Sequence, residues 1–187
     1  LAKLEKLRNL RASNNTFLGS LDGLESCGEL HTLDLSHNQL TGKIAPLAAC
    51  RKLQSLDLSE NRHDAGGSEG GGSTISGGLS GGLEALKDCK ELRELNLGKN
   101  GLKGDLGALK GLVMLNRLHA HSNQLTGGLE PLKACKELRT IYLQENLIEV
   151  IEGLDENLNL ANLNLSQNNV KCISGLSHLK ELTNLQL

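Results

Sequence analysis

An aliphatic comb, L-x-x-[LI]-x-[LA], opens eight times along this chain, at Leu7, Leu30, Leu53, Leu92, Leu115, Leu138, Leu160 and Leu182. Successive starts lie 23, 23, 39, 23, 23, 22 and 22 residues apart. The last teeth of each comb alternate apolar with polar, the period of a half-buried strand. In the second comb Leu33 and Leu35 are therefore expected to point inward, and Thr32, Asp34 and Ser36 outward. Three residues past seven of the combs stands an asparagine: Asn15, Asn38, Asn61, Asn100, Asn123, Asn146 and Asn168. Hydrophobicity does not explain it. Its amide carries two donor hydrogens and an acceptor, enough to bind backbone groups where the chain turns out of the strand. Stacked coils would line these amides into a ladder, and removing a buried, paired one costs about 1–3 kcal/mol.

Beyond the asparagine the chain divides into two dialects. Five coils read N-x-Φ-x-G-x-[LI]-x-x-L-x-x-[CL], with Cys27, Cys50, Cys89 and Cys135 at one shared position. Apolar residues three apart predict a short convex helix or 3₁₀ turn. Pro46 and Pro131 fit its first turn, and Gly19, Gly42, Gly104 and Gly127 precede it to give the backbone room. The last two full coils shorten to 22 residues, as in Ile148-x-x-Ile151-x-x-Leu154 and Val170-x-x-Ile173-x-x-Leu176.

A period of 20–29 residues with this consensus resembles the leucine-rich repeat family over nearly the whole chain. The 22-residue form is similar to the repeats of protein phosphatase-1 regulatory subunits and axonemal dynein-associated proteins. The pieces Leu40–Gly42 and Leu125–Gly127, each Leu-Thr-Gly, look instead like plant receptor repeats, which carry Ile-Pro and a longer period. The resemblance implies an α/β fold: a right-handed solenoid forming a curved arc, with a concave parallel sheet of about eight short strands and a convex side of short helices or 3₁₀ turns. One coil cannot fold alone. Ordering its backbone costs roughly 1–2 kcal/mol per residue, and only stacking adds the neighbour interfaces that offset this.

Composition adds little beyond this frame. Leucine supplies 43 of 187 residues, ample for one core despite a single Phe and a single Tyr. A net charge of −2 gives no electrostatic case for nucleic acid or an anionic membrane, and no apolar run approaches the roughly 18 residues of a span. The expectation is one domain over residues 1–187, an uncapped piece of a longer chain. The interval of 39 hides a Gly/Ser-rich insertion at 65–80, with the repeat resuming at Leu83. It has no Lys after its glycines and no preceding strand, so it is not a phosphate cradle. A flexible bulge is expected there, with docking through Ile75 and Leu79 as the alternative.

The chemistry-bearing residues favour structure over catalysis. Neighbouring convex helices lie about 8–10 Å apart, beyond disulfide reach, so the four in-register cysteines read as small buried hydrophobes. Five thiols without a cap pair point to a reducing, cytoplasmic setting. His119 and His121 share a strand face without a third metal ligand, and no nucleophile–base–orienter set emerges from spacing. Asn14 and Asn164 head Asn-x-Ser/Thr triplets that read as chance. Asn157 stands where an apolar residue belongs; a local distortion turning Leu158 inward is expected.

Eight strands at about 4.8 Å spacing make a face roughly 34 Å across. Its central outward row runs Arg11, Asp34, Asp57, Asn96, His119, Tyr142, Asn164 and Gln186. Arg93, Arg117, His119, His121, Arg139 and Tyr142 form the candidate partner-binding patch, since Tyr and Arg are common interface anchors. The expected function is a non-catalytic protein–protein interaction scaffold without cofactor or metal, of cytoplasmic address. By resemblance it would work in a phosphatase-regulatory or ciliary and cytoskeletal assembly. The alternative is an extracellular receptor-like recognition domain.

Overall fold

The structure, a computed structural model, describes residues 3–62 and 77–187. Its strands in chain order are β1 (Asn9–Arg11), β2 (Leu18–Gly19), β3 (Thr32–Asp34), β4 (Gln39–Lys43), β5 (Ser55–Asp57), β6 (Gly78–Gly81) and β7 (Glu94–Asn96). They continue as β8 (Gly101–Gly104), β9 (Arg117–His119), β10 (Gln124–Gly128), β11 (Thr140–Tyr142), β12 (Leu147–Val150), β13 (Asn162–Asn164) and β14 (Asn184–Gln186). Each comb delivers one strand of a parallel eight-stranded sheet, ordered β1-β3-β5-β7-β9-β11-β13-β14. This is a parallel-strand solenoid, as the repeat period requires. The inward teeth Leu33, Leu56, Leu95, Leu118, Ile141 and Leu163 are buried in one continuous core.

A second parallel sheet, β12-β10-β8-β6-β4-β2, flanks the first and was not foreseen. Its four inner strands and β12 each carry one aliphatic core residue: Leu40, Leu79, Leu102, Leu125 and Ile148. With one apolar tooth per strand there is no alternation to read. Gly42, next to last in β4, and Gly104, last in β8, take φ +85° and +91°, where any other L-residue would be strained. Backbone conformation, rather than room, is what those glycines supply. Beyond the second sheet come 3₁₀ turns at Asp22–Leu24, Ala45–Ala49, Glu84–Leu86, Gly107–Leu109 and Glu130–Leu132, one in each coil of the longer dialect. Pro46 and Pro131 sit in their first two positions.

The insertion ends earlier than expected. Gly78–Gly81 is β6, paired with β4 and β8, and Leu79 is fully buried. Residues 78–80 therefore belong to the repeat, which resumes there rather than at Leu83. The docking role considered for Leu79 is overturned, because the side chain is core. A Cβ on Gly78 would lie 3.1 Å from that of Arg62, so Arg62 and Gly78 lie side by side. Ile75 and the rest of the insertion lie outside the described residues.

Asn157 is also a correction. It is fully buried and Leu158 is 55 % exposed, so Leu158 does not turn inward. The amide donates to the carbonyls of Leu132 (3.1 Å) and Cys135 (2.8 Å) in the preceding coil. The in-register thiols do the same more weakly: Cys50 to Leu24 O (3.7 Å), Cys89 to Cys50 O (3.5 Å) and Cys135 to Leu109 O (3.7 Å). In the last full coil His178 Nε2 lies 3.0 Å from Leu154 O. All five cysteines are unpaired, four of them buried.

Candidate binding face

What holds the face in register is the turn behind it. The residue before each ladder asparagine is left-handed, from Asn14 (φ +55°) through Glu60 (+58°) to Gln167 (+56°). Such a conformation costs a non-glycine residue roughly 1–2 kcal/mol, and the asparagine offsets it. Asn61 Nδ2 donates to Leu58 O (2.9 Å) and Ser59 O (3.3 Å) in its own coil and to Leu35 O (3.1 Å) in the one before. Its Oδ1 accepts the Leu40 N–H at 3.0 Å. Asn38, Asn100, Asn123 and Asn146 repeat the pattern, and Asn100 carries it across the insertion to Leu58 O at 2.8 Å. Asn168 is half-buried with the same bonds, whereas Asn15 is exposed and, among the described residues, binds its own coil alone. The rungs line up.

The outward row is in register from end to end. Arg11 pairs with Asp34, Asp34 with Asp57, Asp57 with Asn96, Asn96 with His119, His119 with Tyr142, Tyr142 with Asn164 and Asn164 with Gln186. At its acidic end Asp34 and Asp57 each accept the N–H and Oγ–H of the serine two residues on, Ser36 and Ser59. Asn96 donates to Asp57 Oδ2 at 2.9 Å. Much of the acidic capacity is thus spent within the sheet.

Of the six patch residues the structure joins two directly: the rings of His119 and Tyr142 stack at 4.8 Å between centroids, 19° from parallel. Arg117 is paired with Glu94 at 3.1 Å in solvent, where such a bridge contributes little. Arg93 and Arg139 sit one residue ahead of their strands and have no ion pair among the described residues. Arg93 borders an open groove of about 700 Å³ that Val113 and Met114 also line. His121 lies apart from the stack, its Nδ1 3.2 Å from Ser122 Oγ. Its ring occupies the space a side chain at Gly98 would fill, since a Cβ there would collide with Nε2. Gly98 interrupts a row of serines, and that interruption was the signal available for its role.

Burial holds both imidazoles below their ordinary range. His121 and Arg117 reinforce this at His119 against Asp57 and Glu94; at His121 Lys99 reinforces it against Glu60 and Glu145. Ser122 Oγ donates to Glu145 Oε2 at 2.8 Å and is buried. In that order the imidazole does not stand between hydroxyl and carboxylate, so the contact lacks the layout of an activated nucleophile. Burial pushes the thiols of Cys50, Cys89 and Cys135 up to about 12, 11 and 11, so they stay protonated. Among the described residues no cluster of three or more His, Cys, Asp or Glu could hold a metal, and no helix is long and apolar enough to cross a membrane.

The comparisons agree with this geometry. A family model described as leucine-rich repeats (2 copies) matches residues 28–64. An internalin (inlF) from Listeria monocytogenes is 26 % identical with a TM-score of 0.76, over 98 % of this chain and 48 % of its own. The plant peptide hormone receptor RGFR1, solved with RGF2, is 26 % identical with a TM-score of 0.72, over 89 % and 29 %. The Arabidopsis receptor kinase HAESA, solved with the peptide hormone IDA and the co-receptor SERK1, shares the fold at 23 % identity and a TM-score of 0.80, over 100 % and 30 %. This chain spans about half of the internalin and under a third of either receptor. No curated protein matches. The chain carries leucine-rich repeats and folds as a leucine-rich repeat solenoid.

Proposed function

We propose that this chain is a protein-recognition module that binds its partner across the eight-stranded face, around Tyr142. The observation that carries this is the His119–Tyr142 stack at the centre of an in-register outward row. A half-buried aromatic pair locked together on a rigid sheet is a preorganised anchor, and little side-chain entropy is lost when a partner covers its exposed part. Arg93 and Arg139, free of ion pairs among the described residues, flank it with unspent donors. A photoreactive residue at Asn96 should crosslink a discrete protein, whereas one at Lys110, beyond the opposite wall, should not. Replacing Tyr142 and Arg117 by Ala should remove the crosslink; equal crosslinking from both positions would reject the reading.

The partner reaches this module in one of two settings. An intracellular scaffold, in a phosphatase-regulatory or ciliary assembly, rests on the 22-residue coils and on five unpaired thiols. A receptor-like domain outside the cell draws support from the two receptors named above, the peptide hormone receptor solved with RGF2 and the receptor kinase solved with the peptide hormone IDA. Glycan on Asn14 or Asn164 of the native protein would decide for the second; unmodified asparagines with free Cys172 would decide for the first.

A further inference from the structure

We propose that the face contains a side-chain subsite beside Tyr142 that takes a primary carboxamide, an Asn or Gln of the partner's extended segment. This deepens the reading above and rests on it. His119 covers one face of the Tyr142 ring. Tyr142 also lines a cleft of about 260 Å³ shared with Asn162, Leu163, Asn164, Asn184 and Gln186 of β13 and β14, with no charged side chain.

The amides of this cleft are fixed by one another. Asn164 is spent: its Nδ2 donates to Gln186 Oε1 at 2.6 Å, and its Oδ1 accepts the N–H and Oγ–H of Ser166 at 3.0 and 2.8 Å. Its bonds run along its own strand and to the next one, and none goes to Tyr142. Asn184 Nδ2 donates to Asn162 Oδ1 at 2.6 Å and to Thr183 Oγ at 3.3 Å. Asn162 Nδ2, Gln186 Nε2 and Asn184 Oδ1 remain without partners among the described residues. Two amino groups and one carbonyl beside an aromatic face complement a planar carboxamide, which accepts through its oxygen, donates through its nitrogen and stacks flat. A lysine or arginine offers donors alone to a site rich in donors. A carboxylate brings a charge that no cation in the lining compensates, and it faces the Asn184 oxygen.

The test is nuclear magnetic resonance on the ¹⁵N-labelled chain, with the side-chain amides of Asn162 and Gln186 assigned from Asn162→Ala and Gln186→Ala. The probes are the acetyl-methylamides of glutamine, glutamate and lysine, and methyl glucoside as a neutral hydroxyl-rich control. The glutamine probe should move both amide pairs and the Tyr142 ring signals at about tenfold lower concentration than the lysine probe, and Tyr142→Leu should abolish the effect. No movement with glutamine, equal movement with lysine or glutamate, or a stronger response to the glucoside would overturn the subsite. Loss of the Asn96 crosslink in the Tyr142/Arg117 double variant alongside any of those results would leave the face standing and the carboxamide wrong.

Discussion

Two polar ladders run along this solenoid, one behind the eight-stranded sheet and one on the opposite wall, and they differ in what they tolerate. Behind the face the residue is asparagine in all seven coils. On the far wall it is a thiol in some coils, a leucine at Leu112, an amide at Asn157, and in the last full coil a neighbouring imidazole, His178. The carbonyls explain the contrast. Leu35, Leu58, Leu97, Ala120 and Leu143 offer oxygens whose donors among the described residues are asparagine amides alone, one from the same coil and one from the next. On the far wall Leu24 O, Leu109 O, Leu132 O and Leu154 O already accept a backbone N–H from three residues on. A second donor there is supplementary, so its identity drifts. The asparagine also presents its own acceptor to the coil before it, which a thiol cannot do as well.

The largest effect should come from breaking the first ladder in its middle. Asn100→Ala leaves Leu58 O and Leu97 O short of a donor and the Leu79 N–H without its acceptor. It should cost about 2–3 kcal/mol, seen as a drop in Tm of roughly 4–12 °C. Asn15→Ala, at an exposed position with two local bonds, should cost under about 0.5 kcal/mol.

Cys89→Ala comes next, at about 1 kcal/mol in urea unfolding, because it loses a small buried volume and a weak donor but strands no carbonyl. Asn157→Cys should lie within about 0.5 kcal/mol of the parent. It surrenders a donor but also relieves Asn157 Oδ1, which is buried without a partner.

The smallest effect concerns the face itself. His119 and His121 are held below their ordinary range, so the folded state binds fewer protons than the unfolded one. Their contribution is complete above about pH 6.5 and is lost as the pH falls through that value towards the folded pKa. Stability measured at pH 7.5 and pH 5.5 should therefore fall with acid, and His119→Gln with His121→Gln should flatten the slope.

The same contrast marks what was legible in the sequence. The asparagines and the outward rows could be placed residue by residue, because a fixed period converts spacing into register. The second sheet could not: with one core side chain per strand, Leu40 or Leu102 carries no alternation. The return of the chain after the insertion was obscured by its glycines, although Leu79-Ser80-Gly81-Gly82-Leu83 matches Leu125-Thr126-Gly127-Gly128-Leu129. Asn157 was misread because its partners belong to the preceding coil, and nothing local reveals a donor reaching backward. Of the patch, spacing supplied the His119–Tyr142 adjacency. The pairing of Arg117 with Glu94 and the seating of His121 over Gly98 depend on rotamers that spacing does not carry.

Exchanging the two residues between the ladders tests this most directly: Asn100→Cys and Cys135→Asn, compared by equilibrium urea unfolding. The first should lose more than about 2 kcal/mol and the second less than about 1 kcal/mol. Equal losses, or a greater loss from Cys135→Asn, would contradict the claim that asparagine is obligatory only where the carbonyls take no backbone donor and rely on asparagine amides.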